Sequence, residues 1–80
     1  MITKYISIEF SKSISEDDLN NFKDTLHLYD LDFNGNIIKN NLRGTLISTG
    51  MFNLIKGPLI KSLTQSGLNY IVKNITIDNT

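Results

Sequence analysis

From Ile2 to Phe10 the chain alternates. Ile2, Lys4, Ile6, Ile8 and Phe10 fall on one side of an extended backbone, and Thr3, Tyr5, Ser7 and Glu9 on the other. A period of two with one oily face is the pattern of a strand buried on one side, which asks for a mostly antiparallel sheet covered by helices on that side. The period then lengthens. Leu19, Phe22 and Leu26 recur at helical spacing, and the start signals in front of them are complete. Ser15 can cap, Asp18 stands three residues on as in a capping box, and Ile14 is placed to staple against Leu19. Glu16, Asp17 and Asp18 suit the positive end of the helix dipole. A helix ending near His27 is predicted.

The stretch from His27 to Asn41 supports two readings. As sheet, His27, Tyr29, Leu31 and Phe33 alternate with Leu28, Asp30 and Asp32, and Asn34-Gly35 is the dipeptide that best tolerates a type I′ turn. This reading predicts a hairpin over residues 28–38 with Asn34-Gly35 at its tip. The same stretch resembles an EF-hand calcium loop: Asp30, Asp32, Asn34, Gly35 and Ile37 stand at its first, third, fifth, sixth and eighth positions, with Phe22, Leu26 and Tyr29 in front and Leu42 behind. The resemblance implies a calcium-responsive module, but the twelfth position, a bidentate glutamate in that family, is Asn41. The hairpin is the preferred reading, with no metal site.

After Asn40-Asn41, a second turn or a bulge, Leu42 to Ser48 reads as strand. Phe52, Ile55, Leu59 and Leu63 then form a helical stripe that ends at Ser66-Gly67, with glycine where a helix terminates. Gly57-Pro58 interrupts it, so the expectation is a helix from about Met51 with a break, or one that begins at Pro58. Asn69 to Ile77 is again strand-like, with Ile71, Ile75 and Ile77 on one face and Lys73 out of place among them. The order β-α-β-β-α-β predicts a single α+β domain over residues 1–80, a ferredoxin-like plait with two helices on one face of the sheet.

Eighty residues without cysteine exclude thiolate catalysis and cysteine-based metal sites and fit a reducing, cytoplasmic setting. No stretch approaches a membrane span. Arg43-Gly44 in a β-like run, with Tyr5 on the first strand, resembles the RNA-recognition module, whose fold has this element order. The aromatic positions of that module's central motif are here Thr45, Leu46 and Ile47, so a stacking platform is missing. A net charge of zero likewise argues against nucleic acid.

The charge is unevenly spread. Residues 1–32 hold seven of the eight acids and carry −4, and residues 33–80 carry +4. Either the fold interleaves the halves and the field cancels, or the surface has two signs. Asp17 and Asp24 share a helix face opposite the apolar stripe, seven residues being close to two turns. Glu16, Asp17, Asp18 and Asp24 are therefore the candidate partner-binding residues. With no catalytic constellation or cofactor loop, the expected function is that of a small non-enzymatic protein-binding module. It would act as small stoichiometric inhibitors and modulators do, those of phages and mobile elements included, engaging another protein through the acidic helix face or a sheet edge. A calcium-responsive module and a ligand-binding plait that forms homodimers through its sheet are the alternatives.

Overall fold

The computed structural model describes residues 2–49 and 55–79. Strand β1 (Ile2–Phe10) is followed by helix α1 (Glu16–His27), strands β2 (Leu31–Ile38) and β3 (Asn41–Ser48), helix α2 (Lys56–Gln65), a 3-10 turn (Asn69–Ile71) and strand β4 (Val72–Asn79). The sheet order is β2-β3-β1-β4 with every neighbouring pair antiparallel. This is the ferredoxin-like arrangement that the element order implies. Each helix joins two strands that are not neighbours, because a third strand lies between them.

The register carries the period-two pattern across the sheet. Gly35, Gly44, Ile6 and Ile77 form one row and Ile37, Leu42, Ile8 and Ile75 the next, all on the face toward the helices. Leu31, Phe33 and Leu46 extend this face, and α1 closes over it with Leu19, Phe22 and Leu26, and α2 with Leu59 and Leu63. A chain this short buries only about 60% of its unfolded surface, so its stability rests on these few side chains. The opposite face is open to solvent and polar, with rows such as Asn34-Thr45-Tyr5-Asp78 and Asn36-Arg43-Ser7-Thr76.

The start of α1 matches its sequence signals. The Ser15 hydroxyl accepts from the Asp18 backbone N–H at 3.1 Å, and the Ser15 N–H donates to the Asp18 carboxylate at 3.2 Å. At the end of α2, Gly67 has φ of 77°, and the Leu68 N–H reaches back to the Leu63 carbonyl at 2.9 Å. That pairing satisfies carbonyls the helix leaves open, and it needs the left-handed residue that glycine supplies.

One expectation is corrected. Asn34-Gly35 is not a hairpin tip: both residues lie inside β2, and the turn is Lys39-Asn40, closed by the Ile38–Asn41 pair. Glycine is required at position 35 for another reason. A Cβ there would sit 2.2 Å from the Arg43 carbonyl oxygen, 2.5 Å from the Phe33 ring and 2.7 Å from the Gly44 Cα. The two glycines let β2 and β3 approach closely while Phe33 lies over both. The helix–loop–helix layout of an EF-hand is not what this stretch adopts, because Asp30 to Asn41 is laid out along β2 and its turn and is followed directly by β3.

The second helix begins at Lys56. A helical start near Met51 lies outside the described residues. Pro58 is the third helical residue, where a backbone N–H has no acceptor within the helix, so its missing donor costs nothing there. Lys73 is explained by an irregularity the sequence does not announce. Phe10 pairs with Val72 and Glu9 with Asn74, so Lys73 is the extra residue of a bulge and stays exposed.

Lys39 has φ of 59° and opens a two-residue turn whose second residue, Asn40, has no positive φ. This is a type II′ pattern, in which the first central position favours glycine. Lys39→Gly should therefore stabilise the protein by about 1 kcal/mol, since the left-handed region costs an ordinary residue that much. Urea unfolding measures it, and an unchanged or lower midpoint contradicts the turn assignment. The turn is also tied to the centre of the sheet: the Asn40 side-chain amide donates to the Phe10 carbonyl at 2.7 Å, and the Phe10 N–H donates to the Asn40 carbonyl at 2.8 Å.

Candidate functional site

Helix α1 packs over β2, while α2 borders a hollow whose other walls are β1 and β4. The charges follow this division. From Glu16 to Ile38, the unit of α1 and β2, there are six acids against Lys23, a net −5. From Ile55 to Asn79, the unit of α2 and β4, Lys56, Lys61 and Lys73 stand against Asp78, a net +2. The two strands of these units are the opposite edges of the sheet. Interleaving of the chain's halves thus leaves the charges segregated, because six of the eight acids belong to one crossover unit and its edge strand, Glu9 and Asp78 being the exceptions.

Within the acidic unit, Glu16, Asp17 and Asp24 are exposed, as expected of residues opposite Leu19, Phe22 and Leu26. Asp18 is half-buried and committed to the capping box, so its carboxylate already has a partner within the helix start. Two further acids belong to the same side. Asp30 has φ of 59°, and its carbonyl accepts from both the backbone N–H (2.9 Å) and the hydroxyl (3.1 Å) of Thr49, leaving its side chain exposed. Asp32 lies on the open face of β2 with the His27 Nε2 at 3.3 Å from its Oδ1. Both side chains of that pair are 59% exposed, so it contributes little to stability but links the end of α1 to the edge strand. Leu28, 76% exposed, adds an apolar spot between them.

β2 is an unpaired edge of eight residues among the described ones, and Asp32 is the only charge on it. Edge strands of folded domains are commonly blunted by lysine, proline or a bulge. β4 has such a device in the Lys73 bulge, whereas β2 runs regularly from Leu31 to Ile38.

The open face has a different character. Tyr5 is 48% exposed at its centre, opposite Thr45 and Asp78, and Arg43 lies opposite Ser7 and Asn36. One aromatic among amides and hydroxyls is no platform for stacking successive bases. Tyr70, away from the sheet face, is held beneath the Lys12 ammonium at 5.8 Å from its ring centre. Among the described residues no three His, Cys, Asp or Glu side chains are grouped to hold a metal ion, and no helix is long and apolar enough to cross a membrane.

Comparison with known protein families, curated proteins and solved structures finds no match. The physical chemistry of these surfaces is therefore the whole basis for a functional reading. The acids of α1 were legible from helical periodicity. Their union with Asp30, Asp32 and a bare strand edge was not, because it depends on α1 crossing back to β2 at the rim of the sheet.

Proposed function

We propose that the protein is a non-enzymatic protein-binding module that engages a basic surface of another protein through the α1–β2 side. The observation that carries this reading is the coincidence of Glu16, Asp17, Asp24, Asp30 and Asp32 with an unprotected edge strand. The edge offers backbone donors and acceptors to an added strand, which supplies affinity. The surrounding carboxylates select a partner of opposite sign and speed its approach. A role as stoichiometric inhibitor or modulator in the cytoplasm belongs to the same proposal, since a chain of this size acts chiefly by covering another surface.

The test is the association rate with a partner captured from the native host, measured from roughly 50 to 500 mM salt, a range over which the Debye length falls well below the size of the site. The rate should drop several-fold across that range, and Asp17→Asn/Asp24→Asn should lower it at low salt while leaving most of the salt-independent affinity. A rate indifferent to both salt and substitution would remove the acidic side from the interface.

A further inference from the structure

We propose that the hollow between α2 and β4 binds a small amphiphilic anion, an alkyl or aryl monocarboxylate, since a cavity of this class takes a small organic ligand. The hollow has a volume of about 530 Å³ and is lined by Lys4, Ile55, Lys56, Ile60, Ile75 and Ile77. An engineered apolar cavity of about 150 Å³ is already enough to admit benzene. Ile75 and Ile77 come from β4, Ile60 from α2, Ile55 from the position just before it, and Lys4 from the helix-facing side of β1.

Ile60, Ile75 and Ile77 pack against the core and yet stay partly exposed, so among the described residues the apolar layer between helix and sheet is incomplete at this end. A thin core gains from having such surface covered, at about 25 cal/mol for each Å² removed from water. The polar part of the lining decides the sign of the occupant. Every titratable side chain in the described lining is a lysine. The electrostatic preference rests on Lys56, which is exposed, opens α2, and has no acidic residue beside it in the first helical turn. An ammonium at the mouth of an isoleucine-walled hollow attracts a carboxylate more strongly than it would in bulk water, because the walls lower the local dielectric. A singly charged head with a hydrocarbon body matches this lining, whereas a cation or a highly charged phosphate ester does not.

The proposal is independent of the acidic side, which lies at the other edge of the sheet. It is tested by titrating the full chain with octanoate while following backbone amide resonances. Saturable shifts are expected at Ile55, Ile60, Ile75 and Ile77, with the amides of α1 unmoved. 1-Octanol, the same chain without the charge, should bind at least about tenfold more weakly, and Lys56→Glu should weaken octanoate by at least about tenfold without lowering the melting temperature of the unliganded protein. Ile60→Trp, which places an indole in the hollow against Ile75 and Ile77, should weaken the shifts. Absence of saturable shifts, equal binding of octanol and octanoate, or undiminished affinity in Lys56→Glu overturns the assignment.

Discussion

Gly44→Val is expected to leave little folded protein. A Cβ at position 44 would stand 2.4 Å from the Asn34 carbonyl oxygen, 2.6 Å from the Gly35 Cα and 2.9 Å from the Phe33 ring. Two of those neighbours are backbone, so no change of rotamer relieves them and the strands must separate. Overpacking a well-filled site costs up to about 3 kcal/mol, and clashes with backbone lie at or above that end. A domain of this length has roughly 4–12 kcal/mol of stability in all. Gly44→Ala should lower Tm by about 12–24 °C, using 4–8 °C per kcal/mol for a small domain, and Gly44→Val should lower it further. Gly57→Ala is the contrast, because nothing lies within 4 Å of its Cβ and its φ is not positive. That change should raise stability by roughly 0.4–1 kcal/mol through the unfolded chain and helix propensity. Thermal melts of the variants decide the matter. Equal effects at positions 44 and 57 would mean that β2 and β3 do not approach as described.

Phe33→Ala is expected to cost about 3–5 kcal/mol, the range for emptying a buried aromatic site. Phe33 is 2% exposed and has two partners that its replacement would leave bare. It covers the Gly35–Gly44 pair, and its ring centre lies 6.2 Å from that of Phe22 with the planes tilted by 60°. The second contact joins β2 to α1, so helix and edge strand lose their common anchor. A double-mutant cycle of Phe22→Leu and Phe33→Leu separates the ring–ring contribution from burial, and should return a coupling of about 0.5–1.5 kcal/mol. Urea unfolding of the four proteins gives the cycle. A coupling indistinguishable from zero would show that the two rings are merely neighbours in the core. Loss of Phe33 should also weaken the proposed partner binding beyond its effect on stability, since β2 carries the edge.

The elements announced by periodicity were legible: the one-sided strand β1, the capped helix α1 with its stripe of Leu19, Phe22 and Leu26, and the glycine that ends α2. What could not be read were features set by neighbours distant in sequence. Asn34-Gly35 is a turn signal because it tolerates unusual backbone angles, but here Gly35 is needed for its missing side chain, and its partner Gly44 is identified only by the strand register. The turn offered at Asn40-Asn41 lies one residue earlier, at Lys39-Asn40, because lysine is an uncommon choice for positive φ and the surrounding pairs impose it. Lys73 seemed to spoil a buried face until the bulge moved it out. The acidic side was half visible, because a helical wheel places Asp17 and Asp24 together but not beside Asp32. The hollow could not be seen at all, since its lining comes from β1, α2 and β4, and no local pattern joins them. Asp18 was read both as a cap residue and as one of the acids offered to a partner, and the capping box is present.

β1 lies between β3 and β4, so one of its two neighbours is made almost a whole domain later: Ile6 pairs with Ile77. During synthesis its apolar face and one row of backbone groups wait for residues that have not yet left the ribosome. Strand pairing over such a separation closes a long loop, which makes it slow compared with formation of α1 or the β2–β3 hairpin. The nascent chain therefore passes through a stage in which β1, β2 and β3 are assembled and the side of β1 reserved for β4 is open. That stage is the one most exposed to proteolysis and to chaperones.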